Sequence, residues 1–193
     1  MTTLRESGWT AIDFETTGRV EGWPDQPWQI AVASFTPDGG VETAEAWLGV
    51  PADRPFNPYA PGRHAELREM LAEQPTLADC WGEWRGRLGG RILVAHNAST
   101  EQRVLRESVP MERLGPWVDT LALARAAWPD LETHGLGDLV TALGLEDRVG
   151  SLCPGRSPHD ALYDAVACGL LLAHLLDQPG WQEVSAGQAG RFG

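Results

Sequence analysis

The order of strand-like and helix-like segments is the feature that most constrains the fold of this 193-residue chain. Three apolar segments come first, over residues 8–15, 28–36 and 41–50, and residues 37–40 (Pro-Asp-Gly-Gly) form a strong hairpin-turn signal between the second and the third. This order predicts three strands joined as a meander.

Helices and strands alternate along the rest of the chain. In order, the predicted elements are helices 63–73 and 76–88, strand 91–97, helix 99–108, strand 116–118 and helices 119–128, 135–145 and 157–177. Ser99 or Thr100 and Asp119 are suitable N-caps, and Pro158 suits the first position of the last helix. We therefore expect one α/β domain, residues 1–178, with a mixed sheet flanked by helices, and a flexible tail over residues 179–193.

Composition excludes several classes of protein. Hydrophobic residues make up 42% and charged residues 22%, as in ordinary globular domains. No apolar run approaches the roughly 20 residues of a membrane span, and the first residues lack the basic and apolar regions of a signal peptide. The three cysteines lack metal-binding spacing and suit a reducing compartment. We expect a cytoplasmic protein without a membrane partner.

The net charge of −12 limits how this chain could bind nucleic acid. Proteins that coat nucleic acid through phosphate contacts are usually basic. The acidic charge therefore argues against extensive duplex binding. It does not argue against a small site that touches a few terminal nucleotides and takes its positive charge from bound cations.

Asp13 and Glu15 lie two residues apart at the end of the first predicted strand. Strand periodicity puts both carboxylates on one face and Phe14 on the opposite face. Neighbouring carboxylates repel each other, which favours a cation between them, and oxygen ligands suit Mg²⁺ or Mn²⁺. Taken alone, such a pair is more often two exposed acids at a strand end than a metal site.

Two later segments carry further candidates. Glu101 falls in the first turn of helix 99–108, and Asp164 follows His159 by five residues. A histidine beside a metal-bound water is a natural general base, because its ordinary pKa of about 6.5 lies near working pH. Each segment alone also fits a structural role, in which Glu101 stabilises the helix start and His159 is an exposed residue.

The three segments together resemble a known family. Residues 11–18 (AIDFETTG), 93–105 (LVAHNASTEQRVL) and 157–165 (SPHDALYDA) resemble, in order, the three motifs of the DEDD 3′→5′ exonuclease superfamily. The spacing of the third motif is that of the DEDDh subgroup, with the polymerase III epsilon subunit, RNase T and oligoribonuclease. The resemblance implies a ribonuclease H-like fold with a five-stranded sheet. It also implies a metal-dependent 3′→5′ exonuclease that releases nucleoside 5′-monophosphates with two divalent cations, Mg²⁺ or Mn²⁺.

The resemblance assigns roles residue by residue. Asp13, Glu15, Glu101 and Asp164 would hold the two cations, and His159 would be the general base. The candidates for substrate binding are Thr16, Thr17, Gly18, His96 and Asn97.

The sequence departs from the family pattern in the second motif and on the second strand. Thr100-Glu101 stands where the family usually has Phe-Asp, and Gln29 stands where an acid is frequent. Two alternatives therefore stay open, a nucleic-acid-end binding module with little turnover and an accessory subunit of a polymerase or nuclease complex. For the enzyme we expect single-stranded or frayed 3′ ends as substrates. The sequence does not decide between DNA and RNA as the substrate. It is compatible with a homodimer and with a polymerase or nuclease partner.

Overall fold

The computed structural model describes residues 2–60, 62 and 64–192, without the side chains of residues 64 and 65. Five strands form one sheet in the order β3-β2-β1-β4-β5. They are β1 Trp9–Thr16, β2 Pro27–Phe35, β3 Val41–Trp47, β4 Leu93–Ala95 and β5 Trp117–Asp119. The first three are antiparallel, and β4 and β5 run parallel to β1. The predicted mixed five-stranded sheet is confirmed.

Helices cover both faces of this sheet. They are α1 Leu4–Ser7, α2 His64–Leu71, α3 Trp81–Leu88, α4 Ser99–Ser108, α5 Thr120–Ala127, α6 Leu136–Ala142, α7 Glu146–Leu152, α8 Ala161–Leu176 and α9 Ala186–Ala189. Strand alternation divides the core in two, because Ala11 on β1 packs with α8 while Ile12 and Phe14 pack with α3 and α4. Phe14 thus faces the layer predicted for it.

The long helix α8 lies directly on β1 and β2. Its sequence is apolar nearly all round, so the helix is buried along most of its length. At Gly169 the helix approaches the sheet so closely that a Cβ atom would lie 2.0 Å from Cε2 of Phe35. The missing side chain allows the helix to approach the strand, and this contact fixes the position of α8 over the centre of the sheet.

The last long helix starts later than the sequence predicts. It begins at Ala161 instead of Ser157, with Asp160 as its N-cap accepting a hydrogen bond from the Leu162 amide at 3.0 Å. Ser157 and Pro158 belong to the preceding turn, which the bond from Asp160 N to Ser157 O closes at 3.2 Å. His159 therefore precedes the helix, because the Asp160 side chain caps the first turn through the Leu162 amide.

The start of α4 also differs from its prediction. Its N-cap is Ala98, without a side-chain cap, where Ser99 or Thr100 was expected. The Asp119 carboxylate takes the place of a local cap, since it accepts the Asn97 and Ala98 amides at 3.0 and 3.1 Å. Asp119 also caps α5, as predicted.

The segment after residue 178, predicted to be a flexible tail, carries the short helix α9. Ser185 and Gln188 form a reciprocal capping box at its start. Val184 accepts a hydrogen bond from the Leu4 amide at 2.9 Å, and Ala189 is buried. Val184 and Ala189 thus lie against the body of the domain, and the flexibility of the segment stays a prediction. Among the described residues, no helix combines the length and apolarity that crossing a membrane requires.

Candidate active site

A cleft of about 310 Å³ opens at the carboxyl end of β1. Its lining is dominated by carboxylates and histidines together with the loop around residue 59, and comprises Asp13, Phe14, Glu15, Thr16, Gly18, Asn57, Tyr59, Ala60, His96, Thr100, Glu101, His159 and Asp164. A second cavity of about 340 Å³ lies at the other end of β1, beside Trp9 and Phe35. Its described lining contains no carboxylate, in contrast to that of the first cleft.

Strand β1 delivers Asp13 and Glu15 to the cleft from one face of the sheet. Burial raises the pKa of Asp13 well above its usual range, and the charges of Glu101 and Asp164 add to the effect. Burial, followed by the charge of Asp164, likewise raises the pKa of Glu15 to about 8. Carboxyl groups so arranged hold protons near neutral pH unless a cation replaces them.

Glu101 reaches the same cleft from the first turn of α4. The residue is only 4% exposed, and burial raises its pKa to about 8. Its Oε2 atom is buried and has no hydrogen-bond partner among the described residues. An orphaned carboxylate oxygen is costly inside a protein. A divalent cation would satisfy it, so the residues present fit a bound metal.

The start of α8 brings Asp164 and His159 to the cleft. Burial raises the pKa of Asp164 to about 6. One ligand atom from each of Glu15, His159 and Asp164 lies within 4.8 Å of the other two. The His159 side chain is exposed, so solvent or a substrate can reach its ring. The cleft thus combines oxygen ligands for a hard cation with a base at its rim.

Two residues beside these acids have left-handed backbone conformations. They are Asn97 at φ 71° and His159 at φ 65°, the positive-φ residues other than glycine in the described chain. A carboxylate binds the backbone amide of each: Asp119 Oδ1 accepts from Asn97 at 3.0 Å, and Asp164 Oδ2 accepts from His159 at 3.1 Å. Uncommon conformations held in this way are typical of functional sites.

The predicted substrate-binding residues of the first motif separate into two groups. Thr16 and Gly18 line the cleft. Gly18 has φ 70°, and a Cβ atom there would lie 2.8 Å from the Cβ of Asn57, so the loop requires glycine. Thr17 is fully buried, and its hydroxyl accepts from the Gln26 amide at 3.1 Å. Thr17 thus supports the loop from the protein interior and is not among the lining residues of the cleft.

His96 and Asn97 are both engaged within the protein. The His96 ring donates from Nε2 to the His134 carbonyl at 2.8 Å, and its Nδ1 lies 3.0 Å from the Thr120 hydroxyl. Burial lowers the pKa of His96. The Asn97 side chain donates to the Thr100 hydroxyl at 3.2 Å. His96 lines the cleft, whereas Asn97 is not among the lining residues and reaches it only through its bond to Thr100.

Sequence reasoning missed the contribution of the loop before α2. Asn57, Tyr59 and Ala60 line the cleft, and the Tyr59 side chain is 92% exposed beside it. The proline-rich stretch indicated a loop but gave no sign of where it would lie. Its position depends on the hydrogen bond from the Asn57 amide to the Thr17 carbonyl at 2.8 Å, a contact between distant parts of the chain.

The sequence profile of the RNase T exonuclease family matches residues 10–172. The chain belongs to this family. The match covers all the residues assigned to the cleft. The exonuclease is also 33% identical to exodeoxyribonuclease 10 of Escherichia coli strain K12 over 172 residues, or 88% of this chain and 69% of that protein. A second relative, the PolC-type DNA polymerase III of Oceanobacillus iheyensis, is 35% identical over 61% of this chain but only 8% of the polymerase.

Solved structures agree with this assignment. Exonuclease X in complex with 5′ overhanging duplex DNA superposes with a TM-score of 0.74 and 29% identity, covering 95% of this chain and 98% of that one. Escherichia coli exonuclease I with a dT13 oligonucleotide gives a TM-score of 0.67 at 16% identity, over 89% of this chain and 41% of that one, and shares the fold. The ribonuclease H-like fold is confirmed, and the family together with the acidic cleft implies divalent metal ions.

Proposed function

We propose that this exonuclease removes nucleotides one at a time from the 3′ ends of DNA, releasing nucleoside 5′-monophosphates. The observation that carries the proposal is the convergence of Asp13, Glu15, Glu101 and Asp164 on one cleft with His159 at its rim. Relatives named for DNA support the choice of substrate, since one is an exodeoxyribonuclease and another is a complex with 5′ overhanging duplex DNA.

In this proposal the four acids hold two divalent cations, Mg²⁺ or Mn²⁺. Asp13, Glu15 and Asp164 would hold one ion, and Asp13 with Glu101 would hold the other. The ions would activate water and stabilise the leaving 3′-oxygen when bound. His159 would accept the proton of the attacking water, and its exposed position at the rim suits that role.

The proposed substrates are single-stranded or frayed 3′ ends. The net charge of −12 disfavours long contacts with duplex phosphates, and the cleft of about 310 Å³ suits one terminal nucleotide. Cytoplasmic localisation, a homodimer and association with a polymerase or another nuclease stay predictions.

The test is a degradation assay on 5′-end-labelled oligonucleotides. The substrates are single-stranded DNA, single-stranded RNA, blunt duplex and duplex with a recessed 3′ end, each with Mg²⁺, Mn²⁺ or chelator. Asp13→Asn removes one carboxylate ligand from the cleft, and Asp38→Asn in the distant β2–β3 hairpin is the matched control. We expect a ladder shortening from the 3′ end with wild type and Asp38→Asn, lost with chelator or Asp13→Asn.

Two other results would overturn the proposal. A preference for intact blunt duplex would contradict the substrate class. Tight metal-dependent binding of 3′ ends without degradation would identify an end-binding module instead.

A further inference from the structure

The start of α8 is held by a polar cluster that lies outside the acid set. We call it the helix-start lock, and it consists of Gln29 on β2, Glu45 on β3, Arg156, Asp160 and the backbone amide of Ala161. The amide of Ala161, one of the orphan donors at a helix start, bonds to Gln29 Oε1 at 3.2 Å. A strand side chain thus completes the cap that Asp160 begins.

Gln29 uses both ends of its amide in this lock. While Oε1 accepts from the helix backbone, Nε2 donates to Asp160 Oδ1 at 3.4 Å and to Glu45 Oε2 at 3.2 Å. An amide combines an acceptor with two donors, whereas a carboxylate only accepts. Glutamine therefore matches this position. A glutamate there would place a third carboxylate between those of Glu45 and Asp160.

Arg156 closes the lock from the solvent side. It donates to Asp160 Oδ2 at 2.8 Å and pairs with Glu45. Its side chain is 30% exposed, while Gln29 is only 1% exposed. The bond between the Ala161 amide and Gln29 is buried, so it is worth more than a surface contact.

The lock adjoins the acidic cleft on two sides. Gln29 is the cross-strand partner of Glu15, so the two side chains share a face of the sheet. Asp160 directly follows His159 and precedes Asp164 by four residues, and its carbonyl accepts the Asp164 amide at 3.0 Å. A shift of the helix start would therefore move Asp164 and the left-handed His159 relative to Glu15.

We propose that Gln29 is a positioning residue of this exonuclease, which sets Asp164 and His159 against Glu15 by locking the start of α8 to β2. The inference rests on the proposed function, in which Asp164 and Glu15 hold a cation. Residues that orient metal ligands typically change metal affinity by about 10- to 100-fold. Because Gln29 acts on Asp164 indirectly, we expect its loss to weaken metal affinity about tenfold.

The test measures metal binding separately from turnover. Purified Gln29→Glu and wild type are melted in chelator and over a range of Mn²⁺ concentrations, and degradation rates are recorded over the same range. A ligand that binds only the folded state raises the melting temperature. We expect Gln29→Glu to need about tenfold more Mn²⁺ for half of the stabilisation and for half of the maximal rate.

Two comparisons separate positioning from a loss of stability. Gln74→Glu makes the same substitution at a half-buried amide outside the lock, whose Nε2 donates to the Met70 carbonyl, and should keep wild-type metal dependence. Gln29→Glu combined with Glu45→Gln supplies a new donor opposite the new acceptor and keeps the Glu45 oxygen that pairs with Arg156, and should recover part of the metal response.

Wild-type metal dependence in Gln29→Glu would overturn the inference while leaving the proposed function intact. If Gln29→Glu does not fold, Gln29→Met removes the same hydrogen bonds without adding a charge, and an unchanged metal response there would overturn the inference equally. A wild type that shows neither metal-induced stabilisation nor degradation would instead contradict the proposed function.

Discussion

Glu101 stands where the family resemblance leads one to expect the shorter aspartate, and its Oε2 atom is buried without a partner. Neither the burial of this oxygen nor its isolation is visible in the sequence, because a first-turn glutamate is ordinarily an exposed residue that favours the helix dipole. The side chain is only 4% exposed and lines the cleft. The proposed role in metal binding would account for this position.

Replacement of Glu101 by glutamine tests this role. Glu101→Gln keeps the shape of the side chain and removes its charge, so we expect the metal-dependent degradation rate to fall by at least about 100-fold. The measurement is a single-turnover rate over a Mn²⁺ titration. Glu107→Gln, an exposed change on the same helix, should keep the wild-type rate. Full turnover by Glu101→Gln would remove Glu101 from the ligand set.

His159 allows base function to be separated from backbone conformation. Asparagine tolerates left-handed φ values better than most residues, so His159→Asn should keep the turn and the melting temperature. The loss of a general base should lower the single-turnover rate by about 10²- to 10⁴-fold at saturating metal. A rate close to wild type would assign the proton to another group.

At the scale of elements, the sequence predicted strands better than helix starts. Alternation along β1 placed Asp13 and Glu15 opposite Phe14 because it depends only on neighbouring residues. The start of α8 was wrong by four residues, since Pro158 is a typical first helical residue and nothing local shows that Gln29 binds the Ala161 amide. The short helices α1, α7 and α9 were also missed, although a local capping box of Ser185 and Gln188 marks the start of α9.

Asp119 links the start of α5 to the turn before α4, so its removal should lower the free energy of unfolding. Its carboxylate caps α5 through the Leu121 amide at 2.9 Å and holds the turn before α4 through the Asn97 and Ala98 amides. Loss of one cap costs about 0.5–2 kcal/mol, so Asp119→Ala should lower the free energy of unfolding by about 2 kcal/mol or more.

Urea denaturation of Asp119→Ala measures this difference. The control is Asp79→Ala, which removes a carboxylate that binds only the nearby Thr76 in an exposed turn. Equal losses in the two variants would show that the link between α4 and α5 contributes nothing beyond a local cap.

The whole molecule should respond to pH through its clustered acids. Folding raises the pKa of Glu15 and of Glu101 from 4.5 to about 8, so the metal-free folded state binds more protons than the unfolded state between these values. Stability therefore falls as pH rises across that window. Calorimetry in chelator should give a lower melting temperature at about pH 8 than at about pH 5.5.

Mn²⁺ should reduce this pH dependence, because it compensates the ionised carboxylates, and Glu101→Gln should flatten it in chelator. A metal-free melting temperature that climbs steadily from about pH 5.5 to about pH 8 would contradict the raised pKa values.

If the crowded carboxyl groups bind metal as proposed, they would exchange protons for cations. Each carboxyl group that is protonated before metal arrives must release its proton when a cation takes its place. Metal uptake near neutral pH would thus acidify an unbuffered solution, and the calorimetric heat of binding would vary with the ionisation enthalpy of the buffer. The slope of that variation counts the protons displaced. It would report how many of the four acids change their protonation state when metal binds.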